Sequence, residues 1–235
     1  FAANLLSKNI TLVAYDLDMH GQSMGCWPHG LCAGNMYEMT TGTKHCVEIA
    51  KKVTDEHMLP FVLVGHSLGG GIAMLATERI AKMCEEQGTA FKGAIFLAPG
   101  HNADTPERLR WCCCPVSWLF SKVCCCCIWP APTKRYGVPG ESFNLAAYFC
   151  HCKVAWKMWL PESLGGFPGP NWWAQHNANV PYHLIFGSDD KIVKPPYMVK
   201  MHAAAPQHGK MEYLEGACHD LFTNKEKNWK QWVEL

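Results

Sequence analysis

The sequence has no run of about 18 uncharged apolar residues, the length at which a segment reads as a membrane-spanning helix, so none is expected. It also has almost no net charge. Its 21 Lys and Arg balance 20 Asp and Glu to +1 at pH 7, which leaves no overall field to draw nucleic acid or another acidic partner. Residues 1–10 lack the basic start and cleavage-like end of a secretory leader. Cysteine is abundant but poorly placed for cross-linking. Seven of the 14 are contiguous, in Cys112–Cys114 and Cys124–Cys127. Neighbouring cysteines cannot easily reach separate partners, which argues against a disulfide framework. Uninterrupted runs likewise give little support for a structural zinc site. A reducing location follows as the expectation, in the cytoplasm or on the cytosolic face of a membrane.

What is present is enough apolar residue for one sizeable core, 49% of 235 residues, consistent with a single domain. Ile10–Tyr15, Phe61–Val64, Ala94–Ala98, Tyr182–Phe186 and Met211–Leu214 read as strands. Phe61–Val64 is wholly apolar and bounded by Pro60 and Gly65, the pattern of a strand buried on both faces. Helices are predicted over residues 39–53, over the stretch following Ser67, and from about Asn224 to the end, where Trp229 and Trp232 are spaced i,i+3. Residues 1–6 read as a helix end, Lys8-Asn9 as a turn, and residues 24–36 as a loop.

The stretch around Ser67 organises the rest. Gly65-His66-Ser67-Leu68-Gly69 matches G-x-S-x-G between the Phe61–Val64 strand and a helix whose apolar residues, Leu68, Ile72, Leu75, Ala76, Ile80 and Met83, recur near the helical period until Gly88 ends it. A serine on so sharp a strand-to-helix turn is strained, with its hydroxyl exposed above the sheet edge. Gly65 and Gly69 are expected to remove side chains that would collide in the bend, and Gly70 and Gly71 to let the helix lie close on the sheet. The helix start offers free N–H groups and a partial positive charge where an oxyanion would form. Gly-His-Ser-Leu-Gly-Gly in this context resembles the nucleophile elbow of the α/β-hydrolase family. Asp16-Leu-Asp-Met-His-Gly-Gln-Ser23 is similar to another family signature, with Asp18 in place of Arg and Met19 in place of Gly. His20 and Ser23 read as loop-structuring groups within it.

The resemblance implies an α/β fold, a mostly parallel sheet flanked by helices, and a triad in the chain order Ser, Asp, His. Ser67 would be the nucleophile. Gly187, Asp190 and Val193 fit the family's G-x-x-D-x-x-V and make Asp190 the acid; its neighbour Asp189 would be a solvated group or loop cap, and Asp104 is a more distant candidate. Gly-Ala-Cys-His219-Asp resembles the family's histidine loop, making His219 the base. The Leu68 N–H would donate to the oxyanion, while the His66 side chain should point away from the hydroxyl. No cofactor or metal is implied.

Residues 101–180 interrupt the core pattern with Pro, Gly, Cys and seven of the ten tryptophans, and Glu141–Leu160 there reads as a possible helix. An insertion at this point is where the family carries a cap. The expected organisation is therefore an α/β-hydrolase core over 1–100, a cap over 101–180 and the rest of the core over 181–235. An aromatic cap implies a small-molecule ester with an apolar or lipid-like acyl group. Trp111–Trp129 is too short and interrupted to span a bilayer, yet it suits peripheral membrane association or S-acylation. The family's second oxyanion donor comes from a loop after an earlier strand, and in the family sheet that strand lies between Ile10–Tyr15 and Phe61–Val64. Either those two strands pair directly, or the chain is the N-terminally truncated part of a longer parent, which is the expectation adopted. A serine carboxylester hydrolase, similar to monoacylglycerol lipases, is the leading functional expectation. Thioesterase, amidase, protein methylesterase or acyltransferase activity on the same triad is the alternative, followed by a noncatalytic binding or membrane-associated member.

Overall fold

A computed structural model describes residues 5–17, 39–101, 166–177, 179–190 and 193–221. The readings made for Asp18, His20, Ser23, Asp104, the cysteine clusters, Glu141–Leu160 and the C-terminal helix lie outside these residues.

Leu5 and Leu6 end a helical segment, and a turn follows in which the N–H groups of Lys8 and Asn9 donate to the carbonyls of Leu5 and Leu6. The long helix α1 (Met39–His57) buries Met39, Thr43, Cys46, Ala50 and Thr54, one stripe at intervals of three and four residues. It runs four residues beyond the expected end. Its outer face carries the i,i+4 pairs Lys44–Glu48, Lys51–Asp55 and Lys52–Glu56, all well exposed and therefore worth little singly.

Strand β1 (Phe61–His66) leads into α2 (Leu68–Gln87), which stops at Gly88 in the left-handed region at φ 67°, as the glycine there implies. The Gln87 amide bonds Asp55, and Thr54 bonds Gln87, so the C-terminal ends of α1 and α2 are tied together. Next come β2 (Phe91–Leu97), α3 (Pro170–His176), β3 (Tyr182–Gly187), α4 (Pro195–Ala204) and β4 (Gly209–Leu214). A 3-10 turn at Pro206–His208 joins the last two.

The four strands form one parallel sheet in the order β1-β2-β3-β4. Residues in register share a face, because side chains alternate along each strand. Leu63, Ala94, Tyr182 and, two residues on, Phe96 and Leu184 belong to the face under the helices. There Phe96 meets Trp173 edge-on at 5.5 Å between ring centroids, and Ala73, Met74, Met198 and Met201 complete a buried core. A second buried cluster joins α1 to α2 through Met39, Cys46, Ala50, Ile72, Ala76, Ile80 and Phe167.

Two sequence expectations fail here. Ile10–Tyr15 is not a strand: it has no regular structure, and Ile10, Leu12, Val13 and Tyr15 are exposed. Its β-branched composition favours a pleated, half-buried surface, but composition cannot supply the partner that a ladder requires, and none among the described residues pairs with it. Direct pairing with Phe61–Val64 is accordingly not found. Nor is β1 buried on both faces. Val62 and Val64 are each 47% exposed, while Phe61 and Leu63 pack toward the helices. Among the described residues β1 is an edge strand, so it alternates instead of being covered on both sides.

Candidate active site

The loops following β1, β3 and β4 leave the same edge of the parallel sheet, which is how residues remote in sequence come together. Ser67 sits between β1 and α2 at φ 52° and ψ −117°, a left-sided backbone that a non-glycine residue adopts only when its surroundings enforce it. Those surroundings are visible. The Ser67 N–H donates to the Leu97 carbonyl of β2 at 2.9 Å. Its own carbonyl accepts from Gly71 at 3.1 Å and from Gly100 at 2.6 Å.

The neighbouring glycines act sterically, but not all as expected. A Cβ on Gly65 would strike the Gly69 carbonyl and lie 2.8 Å from the Gly70 Cα; one on Gly70 would lie 2.7 Å from the Pro99 Cα. One on Gly71 would meet the Gly100 carbonyl at 2.8 Å and the Phe167 ring at 2.7 Å. A Cβ on Gly69 would meet nothing within 4 Å, so that glycine is not needed for the bend itself. Gly70 and Gly71 let α2 close on the segment after β2 and on Phe167.

Asp190 lies on the turn after β3, and its Oδ1 accepts the Val193 N–H at 2.8 Å. Its Oδ2 is 2.8 Å from Nδ1 of His219, in the loop after β4, and both side chains are almost fully buried. Nε2 of His219 is 2.8 Å from Ser67 Oγ. An ionised carboxylate can only accept, so Nδ1 carries the ring proton, and Nε2 is left to accept from the hydroxyl. The structure thus brings Ser67, Asp190 and His219 into one hydrogen-bonded chain. Asp189 is outside it; its backbone N–H donates to the Ala217 carbonyl at 2.9 Å. Leu68 begins α2, and by helix geometry the N–H groups of Leu68, Gly69 and Gly70 precede the first intrahelical bond, from Gly71.

Three contacts around this chain are not read from the sequence. Ser188 Oγ accepts the Gly216 N–H at 2.7 Å, stitching the acid loop to the histidine loop. His66 Nε2 is 3.1 Å from the His219 carbonyl, and its ring centroid is 5.3 Å from that of His219. Burial holds the His66 ring below its ordinary protonation range, with opposing smaller effects from the His219 carbonyl, Asp220 and Asp190. His101, buried just past β2, stacks on Tyr197 with ring centroids 3.7 Å apart. Serine and histidine in Gly-containing loops have many possible uses, so no local signal marks these roles. Among the described residues no group of three His, Cys, Asp or Glu is placed to hold a metal ion, and no helix is long and apolar enough to cross a membrane.

A strained serine at a strand-to-helix turn, on a parallel sheet whose later loops carry a buried Asp–His pair, defines an α/β-hydrolase of the serine-hydrolase type. A family model described as serine aminopeptidase, S33, matches residues 1–130, and the chain belongs to that family. The comparison with curated proteins found no match. Among solved structures the chain is similar to the meta-cleavage product hydrolase of Pseudomonas fluorescens IP01, at 13% identity and a TM-score of 0.60, covering 99% of this chain and 81% of that one. It is similar also to a carboxylesterase of the thaumarchaeon Nitrososphaera gargenis, at 15% identity and a TM-score of 0.51, covering 99% and 81%. A thioesterase domain from the curacin biosynthetic pathway matches at 16% identity and a TM-score of 0.53, covering 93% and 79%. At such identities these likenesses establish the fold, and with the family they make this protein a hydrolase.

Proposed function

We propose that the protein cleaves a carboxylic ester through an acyl-enzyme on Ser67. The observation that carries this is the chain Ser67 Oγ···Nε2 His219 Nδ1···Oδ2 Asp190, both links at 2.8 Å. His219 takes the hydroxyl proton as Ser67 Oγ attacks the ester carbonyl, and Asp190 stabilises the imidazolium. The Leu68 N–H, at the positive end of α2, donates to the oxygen that becomes negative. His219 then protonates the departing alcohol. Water attacks the acyl carbon, gives a proton to His219, and releases the acid while Oγ regains its proton.

The aromatic composition of residues 101–180 supports an apolar or lipid-like acyl group, and their cysteine and tryptophan content supports contact with the cytosolic face of a membrane. Amide cleavage is the second reading, favoured by the aminopeptidase description of the family. Labelling by a fluorophosphonate probe that is lost in Ser67→Ala is the primary test. Parallel panels of p-nitrophenyl esters of rising chain length and of aminoacyl anilides then separate the readings. Faster turnover of the anilides would overturn ester specificity, and activity that falls steadily with acyl length would overturn the preference for an apolar or lipid-like acyl group.

A further inference from the structure

Two consecutive residues of the elbow grip His219 at two different atoms. Ser67 Oγ–H donates to ring Nε2 at 2.8 Å, and His66 Nε2 lies 3.1 Å from the backbone carbonyl of the same residue. A carbonyl only accepts, so the His66 proton is on Nε2. Other ties of the histidine loop among the described residues run toward β3, through Asp190, through Ser188 to Gly216 and through the Asp189 N–H to the Ala217 carbonyl. His66 ties it instead to the elbow, the side on which the nucleophile stands.

The two elbow bonds have different fates during acyl transfer. When the acyl group is on Oγ, that oxygen has no proton, and its bond to Nε2 is gone. The imidazole must still stand in place, now to take a proton from water as the new C–O bond forms and the C–Oγ bond breaks. The bond from His66 to the carbonyl includes no atom that changes in either step. We infer that His66 is a positioning residue that holds His219 over the elbow in the acyl-enzyme, so that it governs hydrolysis of the intermediate more than its formation. This rests on the triad reading above. A neutral ring suits the role, because a second cation 5.3 Å from the His219 ring would oppose the imidazolium.

The test compares His66→Met, of similar bulk without a donor, with His66→Gln, whose amide N–H reaches to a similar distance. Burst kinetics with a p-nitrophenyl ester separate the two steps, and thermal unfolding confirms that both variants are folded. His66→Met should slow hydrolysis of the acyl-enzyme about tenfold, the usual effect of one hydrogen bond, while acylation falls less than about threefold. His66→Gln should stay within about twofold of the parent in both steps. Equal rates for the two variants, or equal slowing of both steps, would overturn the inference. The low-field proton resonance shared by His219 Nδ1 and Asp190 gives a readout without turnover: it should broaden in His66→Met and stay sharp in His66→Gln. If probe labelling of the parent does not depend on Ser67, the proposed acyl-enzyme on Ser67 falls. The resonance then still decides the positioning role, and an unchanged signal in His66→Met overturns it.

Discussion

Asp190 spends its two carboxylate oxygens on different partners, the Val193 N–H and the His219 ring. An asparagine there can keep the first bond through its carbonyl, but it turns an N–H toward the Nδ1 proton and so drives His219 into the other tautomer. Asp190→Asn should therefore melt near the parent temperature yet lose about ten-thousandfold in kcat, read by ester hydrolysis. The neighbouring His66 makes a different kind of prediction. Its folded-state proton affinity lies below the ordinary 6.5, because burial disfavours the cation. Below that pH the unfolded chain therefore binds more protons than the folded one. Stability from this group is present above the window and is lost as pH falls through it. His66→Gln removes the term, so the stability of the parent relative to His66→Gln should decline between neutral pH and about 5, measured by urea midpoints. A difference that does not change with pH would count against a buried neutral ring. The ionisable groups near this ring, Asp190, Asp220 and His219, are common to both proteins.

At the scale of elements, the elbow separates glycines that look alike in the motif. Gly65→Ala forces a methyl into the backbone of α2 at Gly69 and Gly70, where nothing can yield without moving the helix. It should cost about 3 kcal/mol and reduce probe labelling along with stability. Gly69→Ala meets open space at a helical position outside the left-handed region, and it should stabilise by up to about 1 kcal/mol in urea unfolding. The G-x-S-x-G pattern showed where the turn falls. Which glycine the bend needs is a matter of distances between backbones, and these depend on how α2 docks against β1 and the Pro99–Gly100 segment.

Over the whole molecule, the sheet has one face packed under α2, α3 and α4 and, at β1, another that is partly open. Phe96→Ala, in the packed face, should cost about 3–5 kcal/mol, whereas Val64→Thr should stay within about 1 kcal/mol. Comparable losses at both positions, measured by urea unfolding, would mean that β1 is covered on both sides after all. Strands β1 to β4, helices α1 and α2, the helix stop at Gly88 and the strand-to-helix turn at Ser67 were legible in the sequence, whereas the short helices α3 and α4 were not read there. Each depends on residues close along the chain: apolar periodicity, a glycine needing φ above zero, a motif between two matched elements. Ser67, Asp190 and His219 could be picked out by their resemblance to the family's motifs, each just past an apolar run, and parallel strands send their following loops to one edge. Ile10–Tyr15 was misread, since a β-rich composition says nothing of whether a neighbour is there to pair. The 2.8 Å links among those three side chains, the hold of His66 on the His219 carbonyl, and the open face at Val62 and Val64 came only with the tertiary structure. They are set by the packing of segments 29 to 153 residues apart or by exposure to solvent, and no local pattern encodes either.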